Sequence, residues 1–110
     1  MAVTKSIKAI PTGTFDSASL TGPFLLVGKI PERLIIFRVV NEGSTSVGIS
    51  YDGISLHDVV RAGTTMELNF ITSSESSNAA GFLAKGTPIY LNGTAGTGFI
   101  YVVGYYQTQS

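Results

Sequence analysis

A chain of 110 residues is long enough for one hydrophobic core and too short for two, which predicts a single domain over residues 1–110. Seven basic and seven acidic residues cancel and no cysteine is present, so the composition argues against direct nucleic-acid binding, disulfides and thiolate metal sites. Only 13% of residues are charged while 44% are hydrophobic, which favours a protein that buries part of its surface against other chains.

The pattern of apolar residues indicates β-strands rather than helices. Short runs of β-branched and aromatic residues are separated by glycine, proline, asparagine and serine at fairly regular intervals. No window of about 11 residues keeps a helical apolar period, and only residues 73–80 could hold a helical turn. We therefore predict an all-β, antiparallel, jelly-roll-like β-sandwich of about eight short strands. The candidate strands, in chain order, are residues 3–10, 13–16, 24–28, 33–40, 46–51, 56–60, 64–71, 88–92 and 99–106.

The candidate strands differ in how their apolar residues are distributed. Residues 64–71 alternate apolar with polar side chains, which predicts one buried and one wet face. Residues 34–40 and 99–106 are apolar on both faces, although both stretches are too short to span a bilayer and the N-terminus lacks a signal-peptide pattern. A sandwich strand needs only one apolar face, so the outer faces are covered by a loop or by neighbouring subunits. The low proportion of charged residues favours coverage by neighbouring subunits over coverage by a loop. The predicted interface residues are Leu34, Ile36, Arg38, Val40, Ile100, Val102, Tyr105 and Tyr106.

The only histidine, His57, lies between two aspartates and is the first candidate for chemistry. Asp52-Gly53 is a turn dipeptide in which glycine supplies a positive φ. If a strand runs through residues 56–60, His57 and Asp58 point to opposite faces, which disfavours joint action on one metal ion or substrate. No second histidine exists to complete a metal site. We therefore expect a structural turn, with no catalytic, cofactor-binding or metal-binding residue.

Two other patterns have a possible chemical interpretation. The glycine-rich residues 93–98 precede a β-rich segment rather than a helix, so we predict a hairpin loop instead of a phosphate-binding loop. No Gly-x-Ser-x-Gly elbow is present, and we predict that the protein is not an enzyme. Tyr101 and Tyr105 share a strand face while Tyr106 lies on the other, so an aromatic platform for sugars stays an alternative to a core or interface role.

Several stretches taken in order resemble small virion structural proteins of tailed bacteriophages, and the likeness covers nearly the whole chain. They are GTFDSASLTG (13–22), LIIF (34–37), SYDG (50–53) with HD (57–58), AGT (62–64), KGTPIY (85–90) and GTGFIYV (96–102).

This resemblance implies a β-sandwich structural protein of the particle, without an active site. Its expected location is the virion, after synthesis in the host bacterial cytoplasm, and its expected partners are further copies of itself and major capsid or other virion proteins. We expect a capsid-associated auxiliary protein of the cement or decoration type. A neck or tail component and a carbohydrate-binding or adhesion module are the alternatives. An N-terminal arm (residues 1–10) and a short C-terminal tail (residues 107–110) are expected to reach neighbours, and no membrane contact is expected.

Overall fold

The computed structural model describes residues 5–70 and 83–109, in which nine β-strands and one 3-10 turn form the regular structure. The predicted all-β fold is confirmed, with nine strands where about eight were expected. The possible turn at residues 73–80 lies outside the described residues. The strands are β1 (Lys5–Ala9), β2 (Gly13–Asp16), β3 (Leu25–Lys29), β4 (Ile36–Asn41), β5 (Val47–Ser50), β6 (Asp58–Val60), β7 (Thr65–Asn69), β8 (Pro88–Gly93) and β9 (Phe99–Gln109).

The strands form two antiparallel sheets with jelly-roll connectivity. Sheet A has the order β1-β9-β4-β7, with β2 also paired to β9, and sheet B has the order β3-β8-β5-β6. Four pairs are nested along the chain, because β5 pairs with β6, β4 with β7, β3 with β8 and β2 with β9. This is one long hairpin rolled up so that its successive strand pairs fall alternately into the two sheets.

The core lies between the two sheets and follows from side-chain alternation. On β4, Phe37 and Val39 are fully buried, and they face Ile49 of β5 and Leu91 of β8 within one hydrophobic cluster. Burying each of these side chains contributes about 1.5–3 kcal/mol relative to leaving it in water. The predicted alternation of β7 is confirmed, because Met66 and Leu68 pack against this cluster while the polar side chains between them are exposed.

Strand β9 pairs with both β1 and β2 along the same edge. β2 pairs with residues 99–102 and β1 with residues 105–109, and Pro11, which has no N–H to donate, lies in the step between them. The Ile10 N–H still donates to the Gly104 carbonyl at 2.9 Å, so the step stays close to β9. Part of the predicted arm, residues 5–7, and part of the predicted tail, residues 107–109, therefore pair with each other in sheet A. Their contact with neighbouring subunits stays a prediction.

The glycine-rich connection between β8 and β9 is not the predicted hairpin loop. β8 belongs to sheet B and β9 to sheet A, so residues 94–98 cross from one sheet to the other. Side chains from the β4–β5 connection hold this crossing: the Thr97 N–H donates to Ser44 Oγ at 3.0 Å, and Thr45 Oγ1 donates to the Thr94 carbonyl at 2.9 Å. The prediction was wrong because the partner of each strand lies far away in the sequence.

Candidate interaction surfaces

The turn that follows β5 is built around the Asp52 carboxylate. Its Oδ1 accepts hydrogen bonds from the Ser55 N–H at 3.0 Å, the Ile54 N–H at 2.8 Å and the Ser50 hydroxyl at 2.8 Å. These bonds favour the charged form, with that from Ser55 the largest, and they lower the pKa of Asp52 to about 2. Gly53 adopts a φ of 78°, so the predicted Asp52-Gly53 turn is confirmed.

His57 and Asp58 both contact Tyr51, at different atoms. His57 Nδ1 accepts the Tyr51 N–H at 3.1 Å, and its ring stacks on the tyrosine ring with the centroids 5.4 Å apart. The Tyr51 hydroxyl donates to Asp58 Oδ2 at 3.0 Å, and burial, together with the nearby carboxylate, raises the pKa of Tyr51. The predicted alternation does not apply to His57, because β6 begins at Asp58 and not at residue 56. The cluster closes one end of the core, where Tyr51 meets Phe37 edge to face.

Residues 5–70 and 83–109 contain no group of three or more side chains that could hold a metal ion. Within the same residues, no helix is long and apolar enough to cross a membrane.

The structure divides the predicted interface residues between the core and the outward face of sheet A. Leu34 and Ile100 are fully buried, and Val102 and Tyr106 pack against the core. These four are corrected to core-facing residues, because three of them lie on the inner face of β9 and Leu34 precedes β4, where it forms a bridge with Leu83. The other four lie on the opposite, outward face and remain interface candidates: Ile36, Arg38, Val40 and Tyr105.

The outward face of sheet A combines apolar side chains with one ion pair. Arg38 donates from Nε and Nη2 to Oε1 of Glu67 at 3.2 and 2.7 Å, and its guanidinium carbon lies 5.9 Å from the centre of the Tyr105 ring. Tyr101 and Val103 alternate with core residues of β9 and so belong to the same face, where they oppose Val40 and Arg38. Period-2 alternation along residues 99–106 was the signal that could have placed them among the candidates. We call Ile36, Arg38, Val40, Tyr101, Val103 and Tyr105 the A face.

A second apolar surface lies outside sheet B, and the sequence did not reveal it. Four large side chains there are exposed: Leu26 by 52%, Ile54 by 84%, Leu56 by 55% and Val59 by 56%. The turn lies against the outside of this sheet, because a Cβ on Gly53 would stand 2.9 Å from the Tyr90 ring. We call Leu26, Ile54, Leu56 and Val59 the B patch. Single exposed apolar side chains are ordinary, but four large ones outside one sheet make this surface a candidate for binding.

A cavity of about 300 Å³ opens where the sandwich is not closed by a strand. It lies between β2, an outer strand of sheet A, and β3, the first strand of sheet B. Lys29 lines it and is exposed, which places its charge at the mouth. The apolar walls are formed by Ile10, Phe15, Val27, Ile30, Ile89 and Val102. The volume is at the lower end of the range for ligand-binding clefts.

No protein-family model, curated protein or solved structure matches the chain. The case for a function therefore rests on the fold and on these surfaces.

Proposed function

We propose that this chain is a non-enzymatic structural protein of a tailed-phage particle, a capsid-associated auxiliary protein of the cement or decoration type. The observation that carries the proposal is the presence of apolar side chains outside both sheets, exposed in the B patch and half-buried on the A face. The jelly-roll connectivity adds support by analogy, since viral capsid domains use this architecture, but lectin domains use it too.

Two apolar surfaces on opposite sheets suit a protein that bridges others. One surface can rest on a capsid subunit while the other meets a neighbouring copy, so a single small domain joins two components. A specific interface buries about 800 Å² on each partner. The net charge of zero removes the long-range self-repulsion that would oppose crowding many copies on one shell.

Co-sedimentation of the purified chain with emptied capsids tests the proposal. We expect saturable binding, and we expect Ile36→Asp on the A face to weaken it at least tenfold because it places a charge in an apolar contact. Thr21→Asp, which introduces the same charge at an exposed residue of the connection between β2 and β3, away from the A face, is the matched control and should bind like the wild type.

The other outcomes separate the alternatives. Binding to isolated necks or tails but not to capsids would favour the neck or tail component. Glycan binding that Tyr105→Ala abolishes with the fold intact would favour the sugar-binding module. If the chain binds no part of the particle, the proposal is wrong.

A further inference from the structure

Ile54 is the most exposed large hydrophobic side chain in the described part of the chain. It is 84% exposed, although it belongs to a turn held by the hydrogen bonds of Asp52, one of which comes from its own N–H. A fixed turn presents its side chain in one position, so little conformational entropy is lost when that side chain is bound. Ile54 therefore has the properties of an inserting residue, but it fills no site in its own subunit.

The cavity between β2 and β3 has the complementary properties. Its walls are aliphatic and aromatic, and its volume of about 300 Å³ leaves room for an isoleucine side chain. It is partly open to solvent and is lined by residues of β2 and β3, so a group from outside can approach it between these strands. Pairing between β3 and β8 shifts register between Leu26 and Gly28, and this irregularity disfavours closure of the edge by a regular added strand.

The charges beside the two features are opposite. Lys29 stands at the mouth of the cavity, and Asp52 lies two residues before Ile54 with its side chain half exposed. A second copy of this chain supplies an exposed apolar side chain and, two residues before it, a carboxylate whose charge is opposite to that of Lys29.

We propose that Ile54 of one copy inserts into the β2–β3 cavity of a second copy, with Asp52 facing Lys29. The inference rests on the proposed function and deepens it, because it names a further copy as one partner and assigns the surfaces. The contact is heterologous: the surface that inserts differs from the surface that receives. Repeating it gives a closed ring or an open filament, and either leaves the A face of every copy available to another partner.

Two variants that each block one side of the contact test the proposal by complementation. Ile54→Asp removes the inserting group and keeps the cavity, while Val27→Trp fills the cavity and keeps the inserting group. In analytical ultracentrifugation we expect the wild type to self-associate and each variant alone to stay monomeric. An equimolar mixture of the two should form heterodimers and nothing larger, because one productive contact remains.

Two further variants serve as controls. Ile7→Asp makes the same substitution at an exposed isoleucine outside the B patch and the cavity, and this variant should assemble like the wild type. Lys29→Glu alters only an exposed side chain at the mouth and should weaken association at least fivefold, which keeps the test decisive if Val27→Trp does not fold. Circular dichroism of each variant establishes the fold.

Three results would overturn the inference. The first is a wild type that stays monomeric up to about 1 mM, the weak end of the affinity scale. The second is an Ile54→Asp variant that assembles like the wild type, and the third is a difference between the variants. Ile54→Asp is monomeric while Val27→Trp and Lys29→Glu assemble normally, which would indicate a symmetric contact between two Ile54 turns instead. Capsid binding by Ile54→Asp is measured in parallel, so that loss of self-association with retained capsid binding leaves the proposed function intact.

Discussion

At the scale of single residues, Asp52 does more than mark a turn. Its one carboxylate oxygen accepts two backbone N–H groups and a hydroxyl, so the shape of residues 50–55 depends on a negative charge at this position. The same turn presents Ile54, and the neighbouring His57 lies with Nε2 3.9 Å from Asp52 Oδ2. The charge on the exposed Asp52 side chain thus sets the position of Ile54, the most exposed large hydrophobic side chain of the described residues.

This dependence predicts a pH effect whose sign follows from the lowered pKa. A carboxylate with a folded-state pKa of about 2 stabilises the fold above its unfolded pKa of about 4, and this contribution is lost as the pH falls from about 4 to about 2. We expect the urea midpoint of Asp52→Ala to lie below that of the wild type at neutral pH and to converge with it by about pH 2. Ser55→Ala, which keeps the backbone N–H that Asp52 uses, should follow the wild type across the range. A constant gap between Asp52→Ala and the wild type down to pH 2 would contradict this explanation.

Some of these residue contacts were accessible to sequence reasoning and others were not. The Asp52-Gly53 dipeptide predicted the turn because the positive φ of glycine is a local requirement. The contacts of Tyr51 with His57 and Asp58 were missed, because they depend on where β6 begins, and the Asp52 hydrogen bonds decide that. Residues 56 and 57 have strand-like neighbours in the sequence, yet they belong to the turn.

At the scale of elements, β9 is the strand on which sheet A is organised, and Gly104 is its tightest point. An added Cβ there would stand 2.5 Å from Cδ1 of Leu34 and 3.1 Å from Cδ1 of Ile10, both of which are buried. The small residue allows the two side chains to pack directly on the backbone of β9, where β1, β2 and β4 converge. A glycine in an apolar strand was visible in the sequence, but the identity of the side chains above it was not.

Gly104→Ala should therefore destabilise the fold through overpacking. We expect the free energy of unfolding to fall by about 1–3 kcal/mol, because the fully buried side chain of Leu34 must shift to make room for the methyl group. Gly28→Ala on β3 is the matched control: no atom lies within 4 Å of its added Cβ, so this variant should change stability little or raise it slightly. Denaturant unfolding measures both. Equal stability of the two alanine variants would show that Leu34 and Ile10 can shift without cost.

Element positions were predictable where alternation and turn residues agree. Residues 13–16 form a strand with the predicted limits, and most other strands differ from prediction by one to three residues at each end. The largest extension is at β9, which continues to Gln109 because β1 pairs with its last five residues. Residues 107–109 are glutamine and threonine, and no local pattern in them indicates that β1 is their partner. The interface candidates on β9 were drawn from both of its faces, whereas those on β4 all lie on the outward face.

At the scale of the whole molecule, the architecture is set by pairings between distant residues. Phe15 pairs with Ile100, and Leu25 pairs with Leu91, so the ends of the chain must meet before the outer pairs of the roll can form. The entropic cost of loop closure opposes such contacts. The free energy of apolar burial offsets this cost only when both sheets have formed. The sequence therefore indicates the number and location of strands, while their order in the sheets follows from packing that no local segment contains.

The composition of the whole chain also predicts how its assembly responds to conditions. With only 13% charged residues and no net charge, contacts between copies have few ion pairs to draw on, so apolar burial must supply most of their free energy. We expect self-association to persist in about 1 M NaCl, where the screening length is about 3 Å, and to weaken on cooling because hydrophobic stabilisation decreases at low temperature. Sedimentation velocity at several salt concentrations and temperatures measures both effects.

Lys29→Ala is the matched comparison. Its self-association should be weaker than that of the wild type, and this difference should be largest in low salt and should shrink as salt screens the Asp52 charge. Dissociation of the wild type by salt alone would instead indicate that ion pairs, and not the apolar surfaces, hold the copies together.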